Sequence, residues 1–388
     1  MKILVVLTYY RPHTSGLTIY AERLCRAWAQ RGHQVTVLTS QFDPALPLEE
    51  TQHGVNIVRV PVLFRLSKGV IMPKFGITAN RLARWADVIQ LHLPQFDAAG
   101  VALRGRLLRK PTVITYHCDL RMPPGLMAQA ANQAVLLMNN LAGIFTHRMV
   151  TYTRDYAENS EYLTRYMRKL HVIPPPVVLP LVPPEAVQQF AQDNNPQRRR
   201  PVIGMAARFA TEKGVEVLLD ALPVILQRYP DTQVQFAGPY QNIIGEEAYF
   251  DRLSLTIEKY VASGNWRFVG SLSPEQMAAY YPNLDVLVLP SLNSTEAFGL
   301  VQIEAMLNGV PSVASNLPGV RQPVKIHGMG QIAPIGDSRG LAEAVLEVLD
   351  HREKYQADAA EIARRYDPGT IAAEYEKLFD EMQRELQH

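Results

Sequence analysis

The feature that most constrains this 388-residue chain is an alternation of short apolar runs with segments of helical period, broken once by six prolines within residues 174–184. Before the prolines, residues 3–7, 35–38, 56–60, 87–91, 112–116 and 149–152 read as strands. Tyr20, Leu24, Ala27 and Trp28 fall at helical spacing within 20–31,. After the prolines the pattern restarts, with strands expected at 202–206, 233–237, 267–269, 285–289 and 312–314. Helices are expected at 214–229, 300–308, 341–349, 353–365 and 371–386,. Strands that alternate with helices build parallel sheets covered on both faces. Proline fixes φ and donates no hydrogen bond, so the break reads as a stiff extended connection. The expectation is an α/β chain of two doubly wound, Rossmann-like domains facing a cleft. They span residues 1–173 and 201–368, with a proline-rich linker and lead-in over 174–200. Ligands of such sheets bind beyond the carboxyl ends of the strands, so the loops there hold the candidate chemistry.

Composition narrows the class. A hydrophobic content of 47% supplies sizeable cores,. Lys and Arg number 39 against 37 Asp and Glu, and that net +2 argues against a nucleic-acid-coating protein,. Two cysteines, Cys25 and Cys118, cannot build a disulfide framework and point to a reducing, cytoplasmic setting,. The apolar run at 3–7 is too short for a secretory leader, and no stretch reaches the roughly 18 apolar residues of a membrane span,. The basic, leucine-interleaved run at 103–110 and the uncharged stretch at 125–145 fit two readings. One is a peripheral surface resting on anionic lipid at the cytoplasmic face; the other is an ordinary helix end beside a packed helix,.

The most informative loop follows the expected strand at 285–289. It runs Pro290-Ser291-Leu292-Asn293-Ser294-Thr295-Glu296-Ala297-Phe298-Gly299 into a helix beginning near Leu300. The first amides of a helix lack internal partners and favour a phosphate, and Gly299 allows close backbone approach. Glu296 and Glu304, eight positions apart, would by themselves read as surface charges, but set between Pro290-Ser291 and Phe298-Gly299-Leu300 they are carboxylates suited to gripping sugar hydroxyls,. Arg208 and Lys213 sit five apart in the loop after 202–206 and could converge on a diphosphate, one as a planar fork and one as a point charge,. The bland alternative is an ion pair of this loop with Glu212 or Glu216. His117 ends the strand at 112–116, Asp119 follows closely, and Gly16 lies in the first strand–helix turn.

These motifs, in this order, resemble the Glu-x7-Glu signature of the retaining glycosyltransferases of family four, which have the GT-B fold. Ala206-Ala207-Arg208 through Lys213-Gly214 resembles that family's Gly-Arg…Lys-Gly loop, and Gly32-His33-Gln34-Val35-Thr36-Val37 its Gly-His-x-Val-x-Val. Gly309-Val310-Pro311 and Gly336-Asp337 also fit. The resemblance implies a donor site on the second domain, with Arg208 and Lys213 neutralising the departing nucleoside diphosphate. It gives Glu304 the donor ribose, Glu296 a hydroxyl of the donor sugar, and Phe298, Gly299 and Leu300 backbone donors. His117 would contact the donor sugar near the reacting carbon, and Asp119 would either orient it or meet the acceptor. Gly16 would lie near the donor phosphate and the acceptor, although the family's paired glycines are here a single one. The resemblance also returns the C-terminal helix, about 369–388, to the first domain.

The function implied is transfer of a hexose, from a UDP- or GDP-sugar, to a hydroxyl acceptor on a glycan, lipid or small molecule. No Asp-x-Asp occurs, so the metal–diphosphate clamp of the other large glycosyltransferase fold is missing, and no essential metal or cofactor is expected. Gly328-Met329-Gly330-Gln331-Ile332-Ala333 spells a dinucleotide-like pattern, but it is read as preceding a strand and opening no helix,. Two other readings stand beside the transferase: a nucleotide-sugar epimerase of the same architecture, and a non-catalytic nucleotide-sugar-binding partner protein.

Overall fold

The computed structural model describes residues 1–66, 69–119, 126–243 and 245–387; the side chains of Leu66 and of residues 126–132 are outside that description. The chain divides into two compact units, one comprising residues 1–176 and 365–388, the other 177–364.

In the first unit the elements run β1 Lys2–Val6, α1 Gly16–Gln30, β2 Gln34–Gln41, β3 Glu49–Gln52, β4 Val55–Pro61, β5 Phe64–Leu66, β6 Gly69–Ile71 and α2 Phe75–Trp85. They continue with β7 Val88–Leu93, α3 Ala98–Leu107, β8 Thr112–Tyr116, α4 Leu126–Phe145, β9 Arg148–Thr151, α5 Arg154–Asn159 and β10 Leu170–Val172. Eight strands form one sheet in the order β10-β9-β8-β7-β1-β2-β4-β3. Every pair is parallel except β3 with β4. The central strands are buried along their whole length, as strands covered on both faces must be, which is why they read as unbroken apolar runs,. The direction of winding reverses between β1 and β7, so the unit's switch point lies beside the β1–α1 turn,.

The second unit runs α6 Pro184–Asn194, β11 Val202–Ala206, α7 Val215–Arg228, β12 Gln233–Ala237, α8 Glu247–Ala262, β13 Trp266–Gly270 and α9 Pro274–Tyr280. It goes on through β14 Val286–Leu289, α10 Leu300–Met306, β15 Ser312–Ser315, α11 Gln322–His327, β16 Gly330–Ala333 and α12 Ser338–Asp350. The all-parallel sheet has the order β13-β12-β11-β14-β15-β16, with its switch point between β11 and β14,. Helices α13 Ala359–Tyr366 and α14 Pro368–Gln387 close the chain.

Helix α14 packs on α1 within the first unit. The Trp28 indole is fully buried and donates from Nε1 to the Ala372 carbonyl at 3.3 Å. Its ring lies 5.7 Å from that of Tyr375 and 5.6 Å from that of Phe379. Arg31 holds Glu376 through two bonds of 2.6 and 2.7 Å at the rim of this contact. Trp28→Ala is expected to destabilise the first unit by about 3–5 kcal/mol, the usual cost of emptying a large aromatic site. Denaturant unfolding followed by circular dichroism measures this as an earlier transition of that unit.

The structure corrects three of the sequence expectations. The segment 174–200 is not linker throughout, because α6 lies inside it and buries Phe190 in a core of the second unit. Its prolines misled because Pro184 stands at the first helical position, where a missing N–H costs nothing,. The helix expected at 353–365 is broken: a single turn spans Arg352–Lys354 and α13 begins only at Ala359. Between them Tyr355 is buried and accepts from Gln331 at 2.6 Å, while the Asp358 carboxylate caps the Ala360 amide at 2.8 Å. Finally, only the first of the dinucleotide-like glycines, Gly328, precedes a strand; the second lies inside it, since Gly330–Ala333 is β16.

Candidate active site

The loops after β11 and β14, the two strands flanking the second unit's switch point, are laced together. The Leu292 amide donates to the Glu212 carbonyl at 2.9 Å. Gly214 sits at φ +67°, and a Cβ there would lie 2.2 Å from the Pro290 carbonyl oxygen, so only glycine permits this approach,. Across the seam Lys213 Nζ donates to Glu296 Oε2 at 2.7 Å, with both side chains mostly shielded from solvent. The other Glu296 oxygen, Oε1, accepts the Gly299 amide at 3.0 Å. One carboxylate therefore ties the lysine of one loop to the backbone that opens α10.

Gly299 adopts φ +79°, and a Cβ there would meet Leu289 Cδ2 at 2.3 Å. The Gln302 side chain locks this corner by donating to the Phe298 and Val320 carbonyls at 3.0 and 2.9 Å. Phe298 is buried, and Leu300 starts the helix half-buried. Glu304 is only 8% exposed and accepts from the Tyr281 hydroxyl at 2.7 Å. Arg208 pairs with Glu212 on its own loop, so the ion-pair alternative is realised for the arginine. The pairing leaves the loop locally balanced in charge. A diphosphate binding there would exchange one anionic partner for another rather than meet bare cations.

The first unit carries the other residues singled out in the sequence. Gly16 opens α1 behind the N-cap Ser15, whose hydroxyl accepts the Thr18 amide at 3.2 Å in a reciprocal capping box,. Gly16 is exposed, and a Cβ there would meet nothing within 4 Å among the described residues. The fold itself therefore does not require glycine at this turn. His117 lies just past β8 and is 7% exposed. Its Nε2 is 2.8 Å from His92 Nδ1, and its Nδ1 is bonded to the Tyr152 hydroxyl. Burial, with the neighbouring His92 adding to it, holds His117 well below the usual histidine pKa. Burial likewise pushes His92 down to about 3, so both rings are neutral,.

Asp119 does not orient His117. Its Oδ1 accepts from Tyr116 and Ser160 at 2.8 and 2.6 Å, and its amide donates to the Tyr156 hydroxyl at 2.7 Å. The groups that hold His117 are His92 and Tyr152, neither of which stands out in the sequence. The available signal was His92's place one residue before the end of β7, where a polar side chain inside an apolar run stands at a carboxyl edge.

Among the described residues, no three His, Cys, Asp or Glu side chains gather where they could hold a metal ion. No described helix is long and apolar enough to cross a membrane. On α3, Leu103 and Leu107 are exposed beside the exposed Arg106, while of the stretch 125–145 Gly125 lies outside the described residues.

Two family descriptions match the chain: glycosyltransferase family 4 over residues 14–179, and glycosyl transferases group 1 over residues 187–366. A phosphatidyl-myo-inositol mannosyltransferase of Mycobacterium leprae is 31% identical, the match covering 98% of this chain and 96% of the relative. A 2-deoxystreptamine N-acetyl-D-glucosaminyltransferase of Streptomyces fradiae is 26% identical over 92% of this chain and 88% of the relative. Among solved structures, Anabaena HepE in complex with UDP-glucose is similar with a TM-score of 0.76 at 21% identity, covering 98% of this chain and 100% of that one.

Proposed function

Because the chain belongs to the family-four glycosyltransferases of GT-B fold, we propose that it moves a hexose from a nucleoside-diphosphate sugar to a hydroxyl acceptor with retained anomeric configuration and without a metal. The observation that carries this reading is the Lys213–Glu296 pair at the switch point, tied to the Gly299 amide, with Arg208 paired to Glu212 on the loop that carries Lys213. Such a corner offers a leaving diphosphate two cations and offers the sugar a carboxylate. Glu304 takes the ribose, Phe298, Gly299 and Leu300 supply backbone to the phosphate and sugar, and His117 borders the reacting carbon. Gly16 borders the donor phosphate and acceptor, and Asp119 lies on the acceptor side.

No side chain is needed as nucleophile in this mechanism. The acceptor hydroxyl attacks the anomeric carbon on the face from which the diphosphate leaves, and a departing phosphate oxygen takes the hydroxyl proton. The C–O bond to the diphosphate breaks with its electron pair, which Arg208 and Lys213 stabilise. The relatives support a hexose donor: one transfers mannose and another was solved with UDP-glucose. The phosphatidyl-myo-inositol mannosyltransferase relative lends weight to a lipid acceptor, and the exposed Leu103, Leu107 and Arg106 to contact with an anionic bilayer,.

Proton NMR of a reaction with an α-linked UDP- or GDP-hexose tests the stereochemistry and the metal requirement together. The expected product is the α-glycoside, formed at the same rate with and without EDTA. A β-linked product contradicts retention, a rate lost to EDTA contradicts metal independence, and a free sugar isomer made without acceptor supports the epimerase instead.

A further inference from the structure

The His92–His117 contact defines a proton arrangement that the transfer chemistry above does not use. His92 lies in β7 opposite Thr115 of β8 and is 1% exposed, while His117 follows β8 directly. Their rings are stacked at 5.0 Å with 28° between planes, and His92 Nδ1 is 2.8 Å from His117 Nε2. Tyr20 from α1 presses edge-on against both, at 5.9 and 5.0 Å. The far nitrogen of His117 meets Tyr152, but the far nitrogen of His92, Nε2, is buried with no hydrogen-bond partner among the described residues.

Two neutral imidazoles sharing one hydrogen bond have two assignments. If His117 donates from Nε2, the His92 proton must sit on its buried Nε2, an N–H with nothing to accept it. Orphaned buried N–H groups are rare in folded proteins, rarer than acceptors that lack a donor. If His92 donates from Nδ1, its Nε2 holds only a lone pair, and His117 keeps its proton on Nδ1 for the Tyr152 oxygen. The second assignment leaves the smaller defect.

We infer that His92 is a positioning residue for the reaction, holding the His117 ring in place and fixing it as the neutral form protonated on Nδ1. Both His117 nitrogens are then engaged inside the unit, and its imidazole neither takes nor gives a proton during transfer. That leaves the leaving diphosphate as the proton acceptor. The functional part rests on the donor-side role proposed for His117; the proton position does not.

Long-range proton–nitrogen correlation spectra of the full chain carrying 15N-histidine read the proton position directly, with His117→Gln identifying the signals of that ring. The expected wild-type pattern has Nδ1 protonated and Nε2 bare. In kinetics, His92→Leu is expected to lower kcat by roughly 10-fold or more with the donor KM within about twofold, since misplacing a group at the reacting centre by about 1 Å costs up to ~100-fold. His92→Asn restores most of the loss, because its amide nitrogen replaces the Nδ1 donor. A wild-type His117 protonated on Nε2 overturns the assignment without any variant. Equal losses in the Leu and Asn variants overturn the positioning role. Wild-type transfer rates in His117→Gln overturn the donor-side role of His117 itself, and with it any part of His92 in the reaction.

Discussion

Lys213→Ala is expected to lower turnover by about 10²–10³-fold, the loss that follows removal of one preorganised charge partner from a developing anion. Lys213 is proposed to meet the leaving diphosphate, and Glu296 keeps its ammonium in place at 2.7 Å. The exchange of carboxylate for phosphate explains why a lysine can be held ready at the switch point without an unpaired charge. Lys213→Arg restores little, because a planar fork cannot replace a compact ammonium between two loops. Glu296→Gln keeps the side chain's size and its acceptor for the Gly299 amide but discards its charge, so it separates sugar binding from loop geometry. The fold survives both changes: losing a partly shielded pair costs about 1 kcal/mol, or ~2–4 °C in melting temperature for a unit of this size. Steady-state kinetics beside thermal melts measure the two effects together. Turnover within tenfold of wild type in Lys213→Ala and Glu296→Gln removes these residues from the mechanism.

Gly214→Val is expected to damage stability and turnover at once. Its αL backbone alone costs a side-chain-bearing residue about 1–3 kcal/mol. The added Cβ would also lie 2.2 Å from the Pro290 carbonyl oxygen, a backbone atom that cannot swing aside. Relief requires the loop carrying Lys213 to part from the loop carrying Glu296, so activity falls even in the molecules that remain folded. Gly309 is the matched control, with φ +69° and, among the described residues, nothing within 4 Å of the place a Cβ would occupy. Gly309→Ala incurs the backbone strain alone, lowering the melting temperature with kcat unchanged. Equal kcat in the two variants would show that lacing the loops is not what keeps the site assembled.

How much of this was legible in the residues depended on burial. The strands β1, β7, β8, β11 and β12 are buried along nearly their full length, so their apolar runs announced a parallel sheet. Strands β3, β5 and β10 lie at sheet edges or in a small hairpin, are short, and leave much of their surface to solvent, so no periodic signal marks them. Helix α6 was hidden by prolines that its first turn tolerates. In the site, Arg208, Lys213, Glu296 and Gly299 stood out because polar residues and a glycine punctuate strand exits. Their partners did not: the Lys213–Glu296 pair joins positions 83 residues apart, brought together only by the β11–β14 pairing. His92 gave only the signal of its place near the end of β7, since a polar residue within an apolar strand reads as part of the core until its neighbour across the sheet is known.

In the proposed mechanism a nucleoside-diphosphate sugar is seated by Lys213 and Arg208 without help from a metal. Titration calorimetry of UDP- and GDP-hexoses into the wild-type chain and Lys213→Ala, each in EDTA, tests it most directly. The expected result is that one nucleotide sugar binds the wild type in EDTA and that its affinity falls at least tenfold in the variant, a loss of about 1.4 kcal/mol. Binding that appears only with a divalent cation, or equal affinity in wild type and variant, would contradict it.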